Sequence, residues 1–66
     1  MEITFNGKPR VIQTGISIQE LLDQMHLDCT QVVVEHNHNI IPRQRLTDIS
    51  LTPGDTLEVI HFVGGG

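Results

Sequence analysis

The sequence predicts an α+β fold: a mixed sheet of four to five strands with one helix packed on one face. Three observations predict it. Asn6-Gly7 joins two strand-like runs, a single capped amphipathic segment signals a helix, and the remaining chain breaks into short β-branched runs between turn residues. At 66 residues the chain holds one small domain and not two.

Residues 2–5 alternate polar and apolar, which is the period of a half-buried strand with Ile3 and Phe5 inward. Asn6-Gly7 follows, and both residue types accept the positive φ angles of a tight hairpin turn. Pro9 has no N–H to give a ladder, so it belongs at a strand start or a bulge. Residues 10–14 then read as the returning strand. Because Pro9 can shift the register, the choice between Val11 and Ile12 as the core residue stays open.

Gly15 ends that strand. Ser17 and Glu20 have the spacing of a capping box, in which each side chain satisfies the other's backbone N–H. Ile16 before the cap and Leu21 after it are spaced as a hydrophobic staple. Ile18, Leu21, Leu22 and Met25 form one apolar helical face. Together these predict a helix over residues 18–27.

Residues 31–35 contain Val32-Val33-Val34, a β-branched run too short for a helix. Asn37 and Asn39 mark a turn, and Ile40-Ile41 is a short strand stopped by Pro42. Thr52-Pro53-Gly54-Asp55 has the type II preference, with Pro and Gly at its centre. Residues 56–62 form the last strand, with Leu57, Val59 and His61 on one face and Glu58, Ile60 and Phe62 on the other. This order of strands around one helix, which must cover the one apolar sheet face, is that of a β-grasp. The expected division is a β-grasp domain over residues 1–63 and a flexible glycine tail over 64–66.

Charge and composition exclude several classes. Four Lys+Arg against eight Asp+Glu give a net charge of −4, which argues against nucleic acid and for a protein partner. The longest uninterrupted apolar run is three residues, so no membrane span is expected. The start lacks the basic and apolar regions of a signal peptide. Cys29 is the only cysteine, which precludes an internal disulfide and suits a reducing cytoplasm. Ordering each residue costs roughly 1.5 kcal/mol, so a chain this short has little core left over to line an enzyme pocket.

The sharpest feature is Gly64-Gly65-Gly66. A terminal carboxylate is an anion at neutral pH. Glycines without side chains let it enter a channel too narrow for other residues. From Val63 to Gly66 the chain reaches at most roughly 13 Å beyond the last strand. A reactive end on such a tether suits a carrier whose body docks on a partner. A frayed, inert terminus is the alternative reading of the same residues.

The Asn6-Gly7 hairpin, the helix, Val32-Val33-Val34-Glu35-His36-Asn37, Ile40-Ile41-Pro42-Arg43, Pro53-Gly54-Asp55, Leu57-Glu58-Val59-Ile60 and the terminal Phe62-Val63-Gly64-Gly65-Gly66 resemble the ThiS family of thiamin-pathway sulfur carriers, which are ubiquitin-like proteins. The resemblance covers essentially the whole chain, with Gly64 as a mild departure that makes the di-glycine a triple. It implies that a ThiF-type adenylyltransferase, similar to ubiquitin-activating enzymes, uses ATP and magnesium to adenylate the Gly66 carboxylate. It further implies that sulfur from a donor such as a cysteine desulfurase replaces AMP. The resulting thiocarboxylate would feed a ThiG-type thiazole synthase. Gly65 and Gly66 map onto the reactive end. The chain itself then binds no cofactor and carries no catalytic residue; it is a protein cosubstrate.

With Leu57 and Val59 turned to the core, Ile60 and Phe62 are left on the outer face beside the tail. An exposed apolar pair there is a candidate docking surface, extended by Val63 and Gly64. The alternative is that the pair packs under a loop. The four histidines lack zinc-ligand spacing, so no metal site is expected and His36 and His38 read as surface residues. Cys29 lies beside Asp28, whose charge opposes thiolate formation, so an incidental cysteine is the better reading than a persulfide carrier. Arg43 and Arg45 read as solvated. Other readings of the whole are a molybdopterin-synthase small-subunit type of carrier, a ubiquitin-like modifier joined to lysines through Gly66, or an interaction module with an inert tail.

Overall fold

The computed structural model describes residues 1–62. Its elements are β1 (Glu2–Phe5), β2 (Lys8–Val11), α1 (Ile18–Gln24), β3 (Val32–His36), β4 (Asn39–Ile41), a 3-10 turn (Arg43–Arg45) and β5 (Thr56–His61). The five strands form one sheet in the order β2-β1-β5-β3-β4. Only β1 and β5 run parallel, and the other neighbours are antiparallel. The mixed sheet with one α-helix is the β-grasp expected from the sequence.

β2 begins earlier than the expected residues 10–14 and ends sooner. Pro9 does not displace it: it lies opposite Thr4 in regular register. Thr4 turns its N–H the other way, to Asp55 O at 2.9 Å, so the missing Pro9 donor sits on the outer side of an edge strand. The register then answers the open question. Ile12 is 8% exposed and Val11 77% exposed. Phe5 is only half-buried, not a full core residue, with the Arg10 guanidinium 5.8 Å from its ring centroid.

α1 starts at the capping box. Glu20 N donates to Ser17 Oγ and Ser17 N to Glu20 Oε1, both at 3.0 Å. It stops three residues short of the expected end, because His26 takes a left-handed conformation at φ 58. Leu27 N then donates to Leu22 O and His26 N to Asp23 O, a Schellman cap formed without glycine. Ile18, Leu21 and Leu22 are buried, while Met25 is half-buried at the edge of the core.

β3 is shifted one residue on from its expected span, and the turn after it uses Asn37 and His38, at φ 50 and 72. Asn39 is already in β4. The turn at residues 52–55 forms as expected, with Asp55 N donating to Thr52 O at 3.1 Å and Gly54 at φ 83. The stretch between β4 and β5 holds what the sequence reading missed. After the 3-10 turn it wraps beneath the sheet, where Leu46 and Leu51 are each 1% exposed and Leu51 N bonds to Ile16 O at 2.8 Å. Ile3, Ile12, Ile16, Ile18, Leu21, Leu22, Val32, Val34, Leu46, Leu51, Leu57 and Val59 together make one core.

Candidate functional site

β5 carries the chain toward its end and sets the geometry of the site. Leu57 and Val59 face the core, as their alternation predicts. Ile60 is 54% exposed and Phe62 46% exposed. Phe62 lies just past the strand, where its N–H donates to Gln31 O at 3.2 Å. His61 shares the parity of Leu57 and Val59 but is exposed, although Val32, its cross-strand partner, is buried. Val63, Gly64, Gly65 and Gly66, the remaining residues expected to dock or react, lie outside the described residues, as does the expected domain boundary.

Among the described residues the outer sheet face beside Ile60 is uncovered. Val33 of β3 is the direct cross-strand partner of Ile60, and Glu35 of Glu58. Ile40 of β4 lies opposite Glu35 on the other side. Alternation along β5 was enough to find Ile60 and Phe62. Val33, Glu35 and Ile40 were missed as members of this face, since Val32-Val33-Val34 has no alternation from which to read a side.

Asn6 is a second residue that the sequence reading placed only in a turn. β1 ends at Phe5, yet the Asn6 amide continues its ladder. Asn6 N donates to Leu57 O at 2.9 Å, Val59 N donates to Asn6 Oδ1 at 2.8 Å, and Asn6 Nδ2 donates to Val59 O at 3.2 Å. One side chain thus stands in for a peptide group beside β5. A shallow groove lined by Asn6, Gly7, Glu58, Val59, Ile60 and His61 runs along this part of the strand.

Just before β5, Asp55 is 8% exposed and gathers partners from the end of β3, the turn after it and its own turn. His36 Nε2 lies 2.8 Å from Oδ2, Thr52 N and Oγ1 donate at 2.9 and 2.8 Å, and Asn37 Nδ2 at 3.2 Å. Burial opposes ionisation here, but the bonds from His36, Thr52 and Asn37 outweigh it and hold the carboxyl far below the usual aspartate range. His36 is therefore a ladder residue tied to a carboxylate. Among the described residues no three His, Cys, Asp or Glu side chains come together as a metal site. Cys29 is half-buried against the edge of the core, and Arg43 and Arg45 are exposed.

This arrangement offers an uncovered face and a strand leading off it. The sequence matches the ThiS family over residues 3–66. The chain belongs to that family. It is 42% identical over 50 residues to the sulfur carrier protein ThiS of Bacillus subtilis, covering 76% of each chain. The crystal structure of the thiamine biosynthesis protein ThiS from Geobacter metallireducens superposes with a TM-score of 0.87 at 30% identity, covering all of both chains. The whole chain also aligns, at 32% identity, with a thiazole synthase of Paramagnetospirillum magneticum, and there it spans only 20% of the longer protein. None of the described helices is long and apolar enough to cross a membrane.

Proposed function

We propose that the chain is the sulfur carrier for the thiazole moiety of thiamin, a protein cosubstrate rather than an enzyme. The observation that carries the reading is the ThiS-family match, which runs through Gly65 and Gly66. In this reading the Gly66 carboxylate attacks the α-phosphorus of ATP on a ThiF-type adenylyltransferase, which also binds the magnesium, and pyrophosphate leaves. The terminal sulfur of a persulfide supplied by a cysteine desulfurase attacks the acyl carbon and displaces AMP, forming an acyl disulfide. A thiol then cleaves its S–S bond, which leaves a disulfide and frees the thiocarboxylate. Tethering the sulfur avoids free sulfide, and adenylation converts a carboxylate oxygen into a leaving group.

Thiazole synthase is the acceptor in this proposal. The alignment of the entire chain with a fifth of a thiazole synthase supports it, since segments joined in one polypeptide in one organism often work together as separate chains in another. ATP and a cysteine-derived persulfide are both supplied in the cytoplasm, which is where the reading places the protein. Ile60 and Phe62, exposed where the chain leaves the sheet, support a docking role for that face, continued by Val63 and Gly64.

Intact mass measurement tests the proposal. After incubation with ATP, magnesium, the adenylating enzyme and a sulfur donor, the chain is expected to gain the difference between sulfur and oxygen at Gly66. Deleting Gly66, or adding one residue after it, abolishes the gain while the circular dichroism spectrum stays unchanged. A gain found on Cys29, or full sulfur loading of the deletion, overturns it.

A further inference from the structure

The outer sheet face contains a pairing that the fold itself does not need. Glu35 of β3 and Glu58 of β5 are direct cross-strand partners. The flanking main-chain bonds, Asn37 N to Thr56 O and Phe62 N to Gln31 O, fix the phase of this antiparallel ladder. Both carboxylates therefore leave the same face side by side, and like charges directly opposite one another weaken a sheet. Among the described residues neither is in an ion pair: the pairs there are His36 with Asp55 and Arg45 with Asp48. Lys8 and Arg10 are no help, because they pair with Phe5 and Ile3 and so belong to the opposite face.

Apolar side chains border the two carboxylates on the side toward β4 and the row of Val33 and Ile60. Ile40, 69% exposed, flanks Glu35 on β4. Val33 and Ile60 form the next row along the same two strands. The face thus combines an unneutralised acidic pair with a strip of exposed aliphatic side chains. Such a surface is complementary to a cation carried between apolar groups.

We propose that Glu35 and Glu58 receive an arginine or lysine of the adenylating enzyme and thereby select that partner, while Val33, Ile40 and Ile60 seat the apolar groups around it. The proposal rests on the carrier reading above and names the chemistry of its first partner. An enzyme that holds ATP and draws in a second anion, the carrier's carboxylate, has to gather positive charge around its site. A chain with net charge −4 that presents two carboxylates beside its exit strand matches that requirement. Thiazole synthase, the other partner, faces no such demand from ATP.

The test uses E35Q, E58Q and the double variant of the full chain, with the adenylating enzyme of the same organism, ATP and magnesium. Glutamine keeps the size and removes the charge. The double variant is expected to melt at or above the wild-type temperature, since a repulsion is relieved. Its kcat/KM for pyrophosphate release is expected to fall about tenfold at low salt, and the loss shrinks as salt is raised and the wild-type rate drops toward it. Adenylation within about twofold of wild type at low salt overturns the proposal. So does a lowered melting temperature, which makes the pair structural, or a loss confined to sulfur transfer onto thiazole synthase. If the wild-type chain is itself not adenylated, the carrier reading fails and takes this one with it.

Discussion

Asp55 shows what a single residue contributes and why its role was hidden. In the sequence it is the last residue of a Pro-Gly turn, and nothing local names His36 or Asn37 as its partners. Those contacts arise because β3 and β5 pair and bring the 37–38 turn against the 52–55 turn. The folded carboxyl titrates below the ordinary aspartate value of 3.8, so its contribution is complete above that pH and is lost as pH falls through and below it. Asp55→Asn is expected to lower stability at neutral pH by about 2 kcal/mol, since several donors lose a charged acceptor. It should also flatten the acid limb of the stability curve, measured by urea unfolding from neutral pH down to the acid transition. An acid limb as steep as that of wild type places the titrating group elsewhere.

Among the elements, those with a local cause were legible. The capping box, the staple and the 3.6-residue period named α1, and the two hairpins announced themselves through Asn6-Gly7 and Asn37. Legibility failed where the cause was distant. The helix end depends on a left-handed His26 that no glycine signals, and Leu46 and Leu51 are placed by a wrap without periodicity. Asn6 illustrates both sides: its turn was read correctly, while its bonds to Val59, 53 residues away, are a tertiary fact. Asn6→Ala leaves the Val59 N–H without its acceptor, and a loss of about 1–2 kcal/mol follows. Amide hydrogen exchange at Val59 should speed up more than at Val34 in the core of β3. Equal changes at both sites would mean that the Asn6 amide adds nothing of its own to the ladder.

At the scale of the whole molecule, one helix covers one sheet face, and among the described residues the other face is left exposed. The sequence made that division visible in β5, and the proposed docking surface follows from it. Phe62→Asp puts a charge where an apolar contact is proposed, outside the core, so the melting temperature should stay within a few degrees of wild type. Thiocarboxylate formation, followed by intact mass over time, is expected to slow at least about tenfold, as for loss of an interface hot spot. A normal rate would remove Phe62 from the docking surface.

The parallel pairing of β1 with β5 has a mechanical consequence. Among the described residues these are the first and last strands, and they lie side by side near the middle of the sheet. Tension applied between the start of β1 and the far end of β5 slides the two past each other. The bonds Thr4 to Asp55, Asn6 to Leu57 and both Asn6–Val59 contacts then carry the load together, instead of opening one after another like a zip. A body whose outgoing strand is clamped in shear can be gripped and tugged by its end without unravelling. Two of the bonds that take that strain belong to the side chain of Asn6.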